Sequence, residues 1–266
     1  MNNAIIADSL FPVAEVPAVL QDTHLGETDL REVSTGHKFI VREDTGQVLS
    51  CMTDEYRLVT NEELMSVADP LIKENGGTLR EVAVLNDGRR SVWKYRFTKT
   101  KIKLGKNDVV NPEVIIENSY DGSTEIRAIS GAFRVVCSNG MVVGFVLSKT
   151  TNRHSIWNTN IDKMPEIIGD VVRLTNEFLV ESLPALKDTK FRRRDLTEVI
   201  KLLPTYAMEP FVQYLSAHKP KNYWDILNAC TFITTHHMRR DRYATHRLEN
   251  KLYPKVVKLA QHVAQA

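Results

Sequence analysis

The chain is poor in the features that mark several large classes of protein. Its three cysteines, Cys51, Cys137 and Cys230, are far apart and form no CxxC pair. That pattern fits neither a disulfide framework nor a thiolate zinc site, so reduced thiols are expected. No apolar run approaches the roughly 18 residues that a membrane span needs. The start, MNNAIIADSLFPVAEV, has no basic stretch ahead of an apolar core, so no secretory signal is expected and the chain is placed in the cytoplasm. There is no internal repeat and no low-complexity tract.

What the sequence does have is an ordinary globular composition over 266 residues, 42% hydrophobic and 26% charged. This is enough to bury a substantial core. The formal net charge is only +2, but it is unevenly spread: Lys187 to Lys258 carries +8 and residues 1 to 186 carry −6. Inside the acidic part, RRSVWKYRFTKTKIKLGK (residues 89–106) holds eight Lys and Arg and no acidic residue. Asymmetry of this kind points to a polyanionic partner.

Hydrophobic periodicity divides the chain into three. Residues 1–36 have weak periodicity and read as an N-terminal arm. Residues 37–160 read as an antiparallel β-sheet core with one helix. HKFIVRE and QVLSCM form a hairpin across Asp44-Thr45-Gly46, and Thr60 caps a helix interrupted by Pro70. TLREVAVL and SVWKYRFTKTKIKL then join through Asn86-Asp87-Gly88, and PEVIIENSY meets STEIRAIS across Asp121-Gly122. The apolar run GAFRVVCSNGMVVGFVL is compatible with strand or helix. Residues 161–266 read as helical, with one helix from Asp162 to near Pro184 and further helices around 195–203, 223–237 and 245–263. The fold class expected is α+β: an antiparallel sheet of about five strands with packed helices, followed by a mostly helical C-terminal region.

Catalytic sets are weak. Cys137 on the Cys-Ser-Asn-Gly break has Arg134 near it in sequence but no histidine before His154, and Asn139-Gly140 suits a tight turn, so a structural turn is the favoured reading. His236 and His237 are adjacent on a helix and cannot share an ion, and with His246 they complete no zinc set. Asp241 is expected to pair with arginines there, and Tyr243 to anchor packing. No metal, no cofactor and no catalytic residues are expected; an enzyme using Cys137, or His246 with Asp241, is the minor alternative. The basic stretch is more informative. On a strand, Trp93, Tyr95 and Phe97 share one face while Lys94 and Arg96 share the other, and Lys99, Lys101 and Lys103 continue the aromatic parity. Arg89, Arg90, Lys94, Arg96, Lys99, Lys101 and Lys103 are the candidate phosphate contacts, Trp93 or Tyr95 the candidate base-stacking residues, and Arg192, Arg193 and Arg194 a second contact. The alternative is an edge strand protected by its lysines.

The stretch NSYDGSTEIRAISGAFRVVCSNGMVVG resembles the phage- and plasmid-borne family called domain of unknown function 932. The resemblance rests on Ser119, Asp121, Gly122 and Ser123, on Phe133, Arg134, Val136, Cys137, Ser138, Asn139 and Gly140, and more loosely on Trp224, Asn228, Ala244, Thr245 and His246. It covers about residues 35 to 260 and implies a mobile-element setting rather than a reaction. The element order is also similar to that of single-strand annealing recombinases of the RecT, Erf and Red-beta type. That likeness implies single-stranded DNA as partner and homo-oligomers built as rings or filaments. The function expected is therefore binding, and annealing, of single-stranded DNA in recombination or replication. The alternative is a non-enzymatic factor that binds a host protein.

Overall fold

The computed structural model describes residues 6–22, 31–105, 108–136, 141–152, 154, 163–238 and 242–265. Among these, nine strands and six α-helices follow one another. The first part holds β1 (Val13–Asp22), β2 (Arg31–Arg42), β3 (Val48–Thr53), α1 (Asn61–Glu74), β4 (Gly77–Leu85) and β5 (Arg90–Phe97). Then come β6 (Ile102–Gly105), β7 (Asp108–Ser119), β8 (Ile126–Val136) and β9 (Met141–Asn152). The helices α2 (Met164–Asp188), α3 (Leu196–Ile200), α4 (Thr205–His218), α5 (Tyr223–His236) and α6 (Arg242–Ala264) complete the chain. The class is α+β with antiparallel sheets and a mostly helical C-terminal region, as the periodicity requires.

β1, β2 and β3 form a three-stranded sheet, and β4-β5-β7-β8-β9 lie in that order in a second sheet, with β6 pairing with β7. The chain divides into two compact units. One holds Met1–Tyr95, Ile115–Ala128 and Thr150–Gly169, and the other Arg96–Val114, Ile129–Lys149 and Asp170–Ala266. Both are discontinuous in sequence, so divisions at residues 36 and 160 do not coincide with them.

The expected N-terminal arm contains strand. Residues 13–22 and 31–36 are strand, with Val13 opposite Arg42 and Leu20 opposite Val33. Their alternation is hard to read because β1 buries only Val13 and Ala18 and shifts register between Ala18 and Val19. A bulge of this kind breaks the period-two pattern. β1 is an edge strand, which is where Pro17 is tolerated. This sheet leaves Val16, Leu20, Val33, Phe39 and Val48 exposed on its surface.

Two expectations about the turns and the first helix hold. Asn86, Asp87 and Gly88 all have positive φ (53°, 55° and 91°) and connect β4 to β5. Thr60 accepts a hydrogen bond from the Glu63 N–H and caps α1. Pro70 lies inside that helix without ending it. The carbonyl four residues earlier, on exposed Ser66, can turn to water. The same holds for α2, which does not stop near Pro184 as its pattern suggests but runs to Asp188, with Val180 46% exposed. The 195–203 helix is shorter than expected, a 3-10 turn at Arg193–Asp195 followed by α3. α4 has no counterpart in the sequence reading; it buries only Ala207, Phe211 and Leu215, a narrow stripe interrupted by Pro210. Cys137, Ser138, Asn139 and Gly140 lie outside the described residues, as do Asp241 and the side chains of Arg134, Tyr243 and His246.

The second unit has its own apolar cluster. Ile102, Leu104 and Val110 pack with Leu183, Leu186, Phe211, Trp224, Ile233 and Tyr253. β6 is thus fixed to the helical core by its apolar side.

Candidate nucleic-acid interface

β5 alternates cleanly between core and cation. Trp93 and Tyr95 are 0% exposed, and Phe97 is buried beside them in sequence parity. The Trp93 indole Nε1 donates to Ser9 Oγ at 2.8 Å, and the Tyr95 hydroxyl donates to Asp69 Oδ1 at 2.6 Å. Both polar atoms are committed internally, as a buried indole or phenol requires. Neither ring can stack on a base, which corrects that expectation: the aromatic face is the buried one.

The opposite face carries the charges, and most are neutralised. Lys94 Nζ lies 2.7 Å from Glu81 Oε2, Arg96 Nη2 lies 2.7 Å from Glu113 Oε1, and Arg90 Nη2 lies 3.0 Å from Glu117 Oε2. Arg127 on β8 also reaches Glu117, at 3.6 Å. Glu117 and Arg127 side chains are each only 8% exposed, so their charges are compensated rather than presented. Glu81, Glu113 and Glu117 are what the sequence reading missed. A signal was available: Glu113 and Glu117 are four apart on one strand and so share a face, next to the strand that carries Arg90 and Arg96.

Past Phe97 the balance changes. Lys99, Lys101 and Lys103 are exposed, whereas Ile102, between the last two, and Leu104, after them, are buried. Among the described residues no ion pair joins any of the three lysines. Apolar anchors therefore hold a short basic ridge outward on the second unit. Arg89 is exposed beside the β4–β5 turn. Arg192 is half-buried, and Arg193 and Arg194 are exposed, Arg194 at 3.9 Å from Asp195. The twelve predicted residues thus separate into two buried aromatics, three neutralised strand cations, six exposed cations and the half-buried Arg192.

The Asn118–Thr124 stretch, which carries the resemblance, is consumed by structure. Ser119 Oγ donates to the Thr124 carbonyl at 2.6 Å and accepts from the Thr124 N–H at 3.2 Å. Asp121 Oδ1 accepts from the Ser123 N–H at 2.9 Å, and Gly122 has φ +68°. Asn118 Nδ2 donates to the Val59 carbonyl and to Asn61 Oδ1, and the Asn61 N–H donates to the Tyr120 hydroxyl oxygen. The motif closes a loop and ties it to the start of α1.

Other chemistry is sparse. Among the described residues no group of three or more His, Cys, Asp or Glu could hold a metal. His236 and His237 are exposed and both lean on Phe232. Cys230 is buried, and burial pushes its thiol up to about 12, away from nucleophilic reactivity. His154 stacks on Tyr56, with ring centroids 5.2 Å apart, and burial pushes its pKa down to about 4. No helix among the described residues is long and apolar enough to cross a membrane.

The features are those of an α+β protein with antiparallel sheets and a mostly helical C-terminal region. The chain belongs to the family described as Domain of unknown function (DUF932), whose match spans residues 48–253. It is also similar to UPF0380 protein YafZ of Escherichia coli (strain K12), 28% identical over 128 residues, which is 47% of this chain and 40% of that protein. The chain therefore matches less than half of this relative's length. No solved structure matches.

Proposed function

We propose that the chain is a nucleic-acid-binding protein of a mobile element that holds single-stranded DNA by its phosphates and brings strands together for annealing. The observation that carries the reading is the ridge of Lys99, Lys101 and Lys103: three exposed cations, set outward by buried Ile102 and Leu104, beyond a strand whose other cations are matched by carboxylates. Cations neutralised within a fold have little left for a polyanion, whereas unneutralised ones release counterions when phosphate replaces them. With Trp93 and Tyr95 buried, contact at the ridge is led by phosphate and is tolerant of sequence.

The test is anisotropy of a fluorescent single-stranded oligonucleotide from low to physiological salt, with duplex as competitor and light scattering on the same samples. Binding with a steep salt slope is expected, together with assemblies larger than one chain. Each lysine lost should lower the slope by about 0.7 for a single strand. Replacing Lys99, Lys101 and Lys103 together by Glu should abolish binding while leaving the unfolding transition in place; unchanged binding would remove the ridge from the account.

A second reading, a factor that binds a host protein, draws on one observation: Val16, Leu20, Val33, Phe39 and Val48 are exposed on the three-stranded sheet. A stoichiometric complex with one host protein, free of nucleic acid and lost in Leu20→Lys and Phe39→Lys variants, would favour it.

A further inference from the structure

Two basic stretches far apart in the chain, 187–194 and 218–221, meet within the helical unit. The Phe191 N–H donates to the Lys221 carbonyl at 3.0 Å and the Tyr223 N–H to the Thr189 carbonyl at 3.3 Å. These bonds close an antiparallel bridge between Lys190 and Asn222. In the same region a cavity of about 400 Å³ opens, with Lys187, Lys219 and Lys221 in its wall together with Tyr214, His218 and Asn228. That volume is at the lower end of the range for small-molecule sites, roughly 300–1,000 Å³.

The charge in the wall is cationic in effect. Its one carboxylate, Asp225, is occupied by the start of α5: Asp225 Oδ2 accepts from the Lys221 N–H at 2.9 Å, while the Asp225 N–H donates to Asn222 Oδ1 at 3.0 Å. The wall thus carries three lysines and a single carboxylate, and that carboxylate is already hydrogen-bonded. Lys219 is held with φ +46° at the end of α4, a backbone region that lysine rarely adopts, and its N–H donates to the Leu215 carbonyl. Beside it the His218 ring lies on Tyr214, with centroids 3.9 Å apart and planes 16° apart, and its Nδ1 donates to the Tyr214 carbonyl at 2.9 Å. An exposed, oriented aromatic ring next to convergent cations is the combination that single-strand sites use: charge for the phosphate and a flat surface for the base.

We propose that this cavity binds one nucleotide of a nucleic-acid strand, with its phosphate on Lys187, Lys219 and Lys221 and its base against His218. The inference rests on the nucleic-acid reading but not on the Lys99–Lys103 ridge. It supplies the stacking surface that buried Trp93 and Tyr95 cannot. A free nucleoside monophosphate shares this chemistry, and the experiment separates the two.

The full-length chain is titrated by calorimetry at low salt with a 5′-phosphorylated thymidine trinucleotide and, separately, with thymidine monophosphate. Lys219→Asn removes the charge while keeping a residue that tolerates positive φ, and Lys221→Gln removes the second. Expected are binding of the trinucleotide, a loss of at least about tenfold in the double variant, and little change on replacing Lys251 and Lys258, exposed on α6, by Gln. His218→Ala should weaken the trinucleotide as well. No trinucleotide binding to the wild-type chain, or equal losses in the cavity and α6 variants, would overturn the site. Monophosphate binding as tightly as the trinucleotide would overturn its assignment to a strand. Failure of the ridge shows in the long oligonucleotide and failure of the cavity in the trinucleotide, so each can fall alone.

Discussion

The Tyr95 hydroxyl donates to the Asp69 carboxylate at 2.6 Å, joining the middle of β5 to α1 across 26 residues of chain. Asp69 also receives Lys73 at 2.6 Å, one helical turn on. Burial of the ring and the adjacent carboxylate both raise the phenol's pKa, so it stays a donor. Tyr95→Phe should cost about 1–2 kcal/mol in urea unfolding, in the range of a hydrogen bond to a charged group. It should leave oligonucleotide affinity unchanged. A stable variant that no longer binds DNA would place the Tyr95 hydroxyl in the interface.

Glu117 makes a sharper prediction, because it compensates two guanidinium groups, Arg90 and Arg127, at a site where it is 8% exposed. Removing it takes one carboxylate from both guanidinium groups at a poorly solvated site. Glu117→Gln should destabilise by about 3 kcal/mol or more. Glu81→Gln, at a pair 54% exposed on the glutamate side, should cost under about 1 kcal/mol. Equal losses from the two would contradict the burial difference.

The motif loop should report on stability rather than binding. A Cβ added at Gly122 would lie 3.2 Å from Met52 Cε, and φ is +68° there. Gly122→Ala should cost about 1–2 kcal/mol, mostly from backbone strain. Ser119→Ala removes both hydroxyl bonds to Thr124 and should cost about 1–3 kcal/mol. Thermal melts beside anisotropy test this; a variant with full stability and no binding would make the motif part of the site.

His154 sets a pH dependence. Its pKa in the folded chain is pushed from the ordinary 6.5 down to about 4 by burial. Between these values the unfolded chain binds the proton and the folded chain does not, so stability rises with pH across the window. It is present in full above about 6.5 and falls as the pH drops towards 4, by about 2–3 kcal/mol. His154→Phe preserves an aromatic ring against Tyr56 and should flatten denaturant midpoints over this range.

Much of the fold is legible from the residues. The Asn86-Asp87-Gly88 turn, the Thr60 cap and the spacing of Leu64, Ala68 and Ile72 are local chemistry, decided within a few residues. The misses have a common origin. β1 hides behind a bulge and an edge position, and α4 behind a narrow buried stripe and Pro210. Pro70 and Pro184 lie inside their helices, where a proline read from sequence alone suggests a stop.

The alternation of Trp93, Tyr95 and Phe97 with Lys94 and Arg96 follows from the order of the residues alone, since a strand must send neighbours to opposite faces. So does the concentration of positive charge towards the C-terminus. Which face is core, and which cations stay unneutralised, depends on residues brought in from elsewhere in the chain. Ser9, Asp69, Glu81, Glu113 and Glu117 arrive from other elements, and pairing across a sheet depends on register and neighbour rather than on the composition of the strand itself. In the same way, nothing local to His218-Lys219-Pro220-Lys221 announces a cavity. It exists because the backbone at Thr189 and Phe191 hydrogen-bonds to residues 221 and 223, drawing two cationic stretches together against their repulsion.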